Sequence, residues 1–195
     1  MRTSAHGLVV LLASAVACGP SEETSGLDEG ATELDTGTPE VACLAGVEVG
    51  RCPEDVSLVD MDGELRTFSE FQGGPLLVMG TAAWCPSCDG LLFSLHEWST
   101  TEAPEELSIL LVITDSANGG PGGEVDAAGY SMHAPTWTVV GDHRRQWVDA
   151  WRGDNGSDHY IYGLLDEDGQ MLWHRADGDQ SSVDELAGVV ADALF

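Results

Sequence analysis

Between residues 56 and 175 the apolar positions fall into two rhythms, unbroken runs and recurrences every three or four residues. GPLLVMG (74–80) and ELSILLVITD (106–115) are unbroken, the pattern of strands covered on both faces. VSLVDMDGELRTF (56–68) and YIYGLLDEDGQMLWHR (160–175) each set two shorter β-type runs around an Asp-Gly pair, which predicts hairpins. TWTVV (136–140), after Pro135, predicts a further strand. In DGLLFSLHEWS (89–99) Leu91, Leu92, Leu95 and Trp98 recur at helical spacing, so the preceding CPSC falls at a strand-to-helix junction. A short helix is expected after the glycine-rich loop at 118–123. HRRQWVDAW (143–151) reads as a helix with Trp147 and Trp151 turned inward and its charges on a solvated face. The closing SSVDELAGVVADALF reads as a helix with Ser182 and Glu185 at capping-box spacing. Strands alternating with helices, then a terminal hairpin, predict an α/β fold with a central mixed β-sheet flanked by helices.

The first forty-two residues break this pattern. Arg2 and His6 lead an apolar run from Leu8 to Ala17, short for a membrane span and suited to a secretory signal, so residues 1–17 are read as a signal peptide. Ala15 and Ala17 precede Cys18, which resembles the lipobox of bacterial lipoproteins, with Cys18 as the lipidated new N-terminus. A simple cleaved signal is the alternative. Residues 18–42 are rich in Ser, Thr, Gly and acids and have almost no bulky apolar residue, so they are expected to be a disordered acidic tether. The folded domain is expected over 43–195.

Composition narrows the function. With seven arginines, no lysine and 34 acids the formal charge is −27, which excludes a nucleic-acid partner bound through its phosphates. No GxGxxG or Walker pattern occurs, and no cofactor is expected. Five cysteines are an odd number for an exported chain. Assigning Cys18 to lipid leaves four, with Cys43–Cys52 as a structural disulfide and Cys85–Cys88 as the candidate redox pair. Cys85 stands where a helix begins, and the positive end of a helix dipole lowers a thiol's pKa. Cys88, three residues on, lies on the same helical face and can close a disulfide with it. Pro86 suits the first helical turn.

The stretch CPEDVSLVDMDGELRTFSEFQGGPLLVMGTAAWCPSC (52–88), with the later hairpin at 160–175, resembles the TlpA-like/redoxin branch of the thioredoxin superfamily. The resemblance spans the whole expected domain. It implies a thioredoxin-like fold and thiol-disulfide exchange, with Cys85 as attacking nucleophile, Cys88 as resolving thiol and Trp84 as the aromatic that shields the dithiol. Cys85 is expected to be the low-pKa thiol and Cys88 the buried one. Exported proteins' thiols and disulfides, and a redox partner of unknown identity, are the implied partners, met from a lipid anchor on the periplasmic face of a bacterial membrane.

Three positions depart from the family's pattern. Met79 stands where an acid or asparagine often lies beneath the dithiol, Leu91 where a glutamate often follows it, and Tyr160 where the family has a cis-proline. Pro135 better matches the proline of the preceding redoxin strand. His159 and Tyr160 are therefore candidate neighbours of the two sulfurs. Two alternatives follow: a copper- or partner-binding module using the dithiol with His159, since soft thiolates select that ion, and a peroxiredoxin-like peroxide reductase. The second wants a threonine three residues before its cysteine, whereas Thr81 is four before Cys85. A zinc site is disfavoured because CLAGVEVGRC separates its cysteines by eight residues.

Overall fold

A strand flanked on both faces has no use for polar alternation, and the run 76–82 takes that place. In the computed structural model, which describes residues 43–153 and 156–195, β3 (Leu76–Ala82) is buried at every position. The signal peptide, Cys18 and the tether lie outside the described residues. Seven strands make one mixed sheet in the order β2-β1-β5-β4-β3-β6-β7, with β1 Leu58–Asp60, β2 Leu65–Arg66, β4 Ser108–Asp115, β5 Thr138–Gly141, β6 Tyr162–Leu165 and β7 Met171–Arg175. The central three, β5, β4 and β3, run parallel, while β1 and β6 flank them antiparallel. The flanking helices are α1 (Pro86–Thr101), α2 (Glu124–Ser131), α3 (Gln146–Trp151) and α4 (Val183–Leu194).

Both expected hairpins form, and by one device. Asp60 Oδ1 accepts from the backbone N–H groups of Asp62 and Glu64, at 2.9 Å each, and Asp166 Oδ1 accepts from those of Asp168 and Gln170, at 3.0 and 2.8 Å. An aspartate that bonds its own backbone ahead of it turns the chain.

Alternate residues of the same strands feed two separate cores. Leu76, Val78, Leu110, Val112 and Val140 face α3 and Phe68. Leu77, Met79, Ile109, Leu111 and Ile113 face Leu95 of α1, Ala127 of α2, and Leu186 and Val190 of α4. On the α3 side Trp147 and Trp151 lie fully buried, their rings 5.3 Å apart. They lie this close to the sheet because it offers glycine: a Cβ on Gly80 would stand 2.9 Å from the Trp147 ring, and one on Gly163 2.5 Å from that of Trp151.

Two helix starts differ from the sequence reading. α3 begins at Gln146, not at residue 143, because Asp142, fully buried, turns its carboxylate to accept from Val148 N–H at 2.9 Å, and Arg145 takes a left-handed conformation (φ 59°) before the helix. Arg145 also leaves the solvated face assigned to it and joins an ion-pair cluster described below. At α4, Ser182 Oγ accepts from Glu185 N–H at 3.1 Å, but the Glu185 carboxylate pairs with Arg175 in place of closing the box.

The N-terminal loop is tied twice. The sulfurs of Cys43 and Cys52 are bonded, with Cα atoms 5.7 Å apart. Gly50 N–H donates to the Met171 carbonyl at 2.8 Å and Met171 N–H to the Arg51 carbonyl at 2.7 Å, which fastens the loop to β7.

Candidate active site

β3 leaves the sheet at Ala82, and three residues, Ala83 to Cys85, turn the chain into α1. Ala83 N–H donates to the Asp115 carbonyl (2.8 Å) and Cys85 N–H to that of Ala82 (3.0 Å), which fixes the turn. Cys85 is the N-cap of the sixteen-residue α1, and Pro86, lacking an N–H, occupies its first position where none is required. Cys85 and Cys88 are disulfide-bonded, their Cα atoms 5.3 Å apart. The expected contrast in burial is absent, since each is 4% exposed. What separates them is backbone position: Cys85 is the N-cap of α1, whereas Cys88 is the third residue within the helix. Trp84, 48% exposed, forms the outer wall.

The two candidate neighbours of the sulfurs, His159 and Tyr160, divide. Tyr160 packs against the cluster of Ala82, Cys85 and Cys88, with its Oη 3.6 Å from Cys85 Sγ. His159 turns the other way, edge-on to Trp84 with ring centroids 4.9 Å apart, its Nδ1 3.3 Å from Ser157 Oγ. It therefore does not join the sulfurs as a third metal ligand. Among the described residues no group of three or more His, Cys, Asp and Glu side chains is placed to hold an ion. Met79 is buried in the core that α1 shares, so an apolar side chain stands where the resemblance implied an acid or asparagine.

Two features escaped the sequence reading. Ser87, an unassigned position inside CPSC, brings its Oγ to 3.4 Å from Cys85 Sγ and 3.3 Å from Tyr160 Oη. Arg145 pairs with Asp115 at the end of β4 and with Asp158, which also receives Arg152. Burial alone would raise the Asp158 pKa, but Arg152 and Arg145 hold it below its ordinary value. The cluster thereby clamps the segment leading to Tyr160 against the end of β4.

A groove of about 700 Å³ runs between α1 and α2, from Asp89, next to Cys88, over Leu92, Phe93 and Tyr130 to Met132, with Leu111 of the sheet among its lining. Tyr130 Oη donates to Asp89 Oδ1 across it at 2.9 Å. Phe93, Val125 and Met132 along it are largely exposed.

Burial holds His159 and His174 below their ordinary value of 6.5. Each is more readily protonated in the unfolded chain, so its contribution to stability is complete above 6.5 and is lost as pH falls through the folded-state value. Asp142, raised by burial, acts oppositely: it favours the fold when protonated and loses that contribution as pH rises above 3.8. The thermal midpoint of His174→Gln is therefore expected to fall less on acidification from about pH 7 to about pH 5 than that of the parent. Parallel midpoint-against-pH curves would remove His174 from this account.

A β-α-β unit with a dithiol at its helix N-terminus, followed by an antiparallel hairpin and a closing helix, is the thioredoxin fold. No protein-family model matches the sequence, and no curated protein matches it. Solved structures do. A thiol:disulfide interchange protein of the thioredoxin family from Chlorobium tepidum is 18% identical with a TM-score of 0.56, over 74% of this chain and 96% of that one. The pneumococcal exposed lipoprotein thioredoxin from Streptococcus pneumoniae is 16% identical, TM-score 0.55, over 71% and 99%. A peroxiredoxin-like protein from Aquifex aeolicus is 13% identical, TM-score 0.57, over 76% and 89%. The likeness is one of fold.

Proposed function

We propose that the protein is a thiol-disulfide oxidoreductase acting on exported proteins through Cys85 and Cys88. The observation that carries this reading is the Cys85–Cys88 disulfide with Cys85 as N-cap of α1. In the oxidising direction a client thiolate attacks Cys85 Sγ, the Cys85–Cys88 bond breaks, and its electron pair leaves on Cys88. A second client thiolate then attacks the client sulfur of the mixed disulfide, the client disulfide forms, and the pair leaves on Cys85. The reducing direction is the reverse. Peroxide reduction is disfavoured because Thr81 is buried in β3, four residues before Cys85.

The working test is equilibration of the mature protein with glutathione redox buffers and turnover of insulin disulfides. A measurable two-electron potential assigned to this pair, with insulin exchange, supports the reading, and a pair that exchanges with neither glutathione nor insulin sinks it. The lipid anchor at Cys18 and periplasmic placement belong to the same proposal; they have support in the sequence and in the likeness to an exposed lipoprotein thioredoxin. Cys18→Ser is expected to release the protein from the membrane fraction, and unchanged sedimentation with membranes would remove the anchor.

Cys43 and Cys52 have a structural role in this account. Replacing both with serine is expected to lower unfolding stability by about 2 to 3 kcal/mol, the chain entropy of so short a closed loop, while leaving insulin reduction intact. Loss of exchange without loss of stability would reverse that assignment. Phe93 and its groove offer an apolar bed beside the dithiol for client residues.

A further inference from the structure

The exchange steps above leave two hydroxyls beside Cys85 without work. Tyr160 Oη stands 3.6 Å and Ser87 Oγ 3.4 Å from Cys85 Sγ, and the two oxygens are 3.3 Å from each other. A disulfide sulfur carries no hydrogen, so toward either oxygen it can only accept. The three contacts share two hydroxyl protons, so in the oxidised protein one of them always lacks a proton. The balance changes once Cys85 is a thiolate. An anion is the stronger acceptor, and both hydroxyls can turn their protons onto it by rotation about one bond, with no backbone movement.

We propose that Tyr160 and Ser87 form a two-donor cradle for the Cys85 thiolate, which stabilises the reduced form and so makes the oxidised protein a stronger donor of its disulfide to client thiols. The direction of transfer rests on the oxidoreductase reading; the cradle itself does not. Charge appears on Cys85 Sγ in the second step written above, when the client disulfide closes and the electron pair leaves on Cys85. No proton need be transferred, since the hydroxyls donate hydrogen bonds and keep their protons.

The surroundings hold both donors in place. Ser87 lies in the first turn of α1, and its carbonyl accepts from Gln180 Nε2 at 2.9 Å. Tyr160 is braced on one side by the His159 ring, at 4.3 Å between centroids, and through the preceding residues by the Asp158 pairs with Arg145 and Arg152. The charged groups of the neighbouring elements have other partners: Asp89 accepts from Tyr130, Asp115 pairs with Arg145, and His159 faces Trp84. Beside the sulfur, Tyr160 and Ser87 are thus neutral hydroxyl donors, added to the end of the α1 dipole.

Tyr160→Phe removes the hydroxyl and keeps the ring, so it separates donation from packing. In the reduced full-length protein, the pH dependence of Cys85 alkylation is expected to move up by about one unit in Tyr160→Phe, a tenfold loss of thiolate stabilisation. The reduction potential against glutathione is expected to fall by about 30 mV, the same tenfold expressed for a two-electron couple. Ser87→Ala should shift both quantities in the same direction, and Ser87→Thr, which restores a hydroxyl, should recover most of the shift. Titration and potential unchanged in both Tyr160→Phe and Ser87→Ala would overturn the cradle. Insulin turnover separates the two ideas. A shifted titration in a protein whose parent exchanges no disulfides keeps the cradle and discards the oxidoreductase reading. An active parent with Tyr160→Phe and Ser87→Ala both unshifted does the opposite.

Discussion

Cys85→Ser is expected to abolish disulfide exchange, with a fall in insulin turnover on the order of a thousandfold or more, because the step that forms the mixed disulfide has no other nucleophile. A serine hydroxyl in the same N-cap position stays protonated at neutral pH, and the helix dipole that favours a thiolate cannot bring an alcohol into range. Cys88→Ser should fail differently. Cys85 can still attack, but nothing resolves the product, so the variant is expected to accumulate a covalent adduct with client thiols, visible as added mass that a reductant removes. Exchange persisting in Cys85→Ser, or the adduct forming on Cys88, would exchange the two roles. Burial does not decide this assignment, since both cysteines are equally covered.

The second large effect lies on the opposite face. Trp151→Ala is expected to lower unfolding stability by about 3 to 5 kcal/mol, measured as a shift in the denaturant midpoint at constant slope. The indole is fully buried, its ring centroid lies 5.4 Å from that of Phe68, 5.3 Å from Trp147 and 5.9 Å from His174, and it lies against Gly163. Its neighbours cannot collapse into the space, because Gly163 is backbone held in the β3–β6 ladder. Trp84→Phe, at the exposed rim, is expected to change stability little. A loss below about 1 kcal/mol for Trp151→Ala would mean that this layer repacks.

What could be read in the sequence was what depends on neighbours along the chain. Unbroken apolar runs located β3 and β4, Asp-Gly pairs located both hairpins, and the spacing of Trp147 and Trp151 anticipated their burial. Contacts across the sheet were less legible. Tyr160 reaches Cys85 over 75 residues, and only the pairing of β3 with β6 decides that the phenol, rather than the His159 ring, faces the sulfur. Arg145 read as a solvated charge because its partners, Asp115 and Asp158, lie on other segments. Likewise Glu185 has the right spacing for a capping box, and a guanidinium from β7 draws it away.

The division of alternate strand residues between two cores gives the molecule a partition. The helices α1, α2 and α4, which carry the dithiol and groove, share one core, while α3 and the tryptophan layer belong to the other. Substitutions on opposite sides of such a partition, with no shared neighbours, combine additively to within a few tenths of a kcal/mol. Substitutions around Phe93 and Met132 are thus expected to leave the stability held by Trp147, Trp151 and their two glycines unchanged.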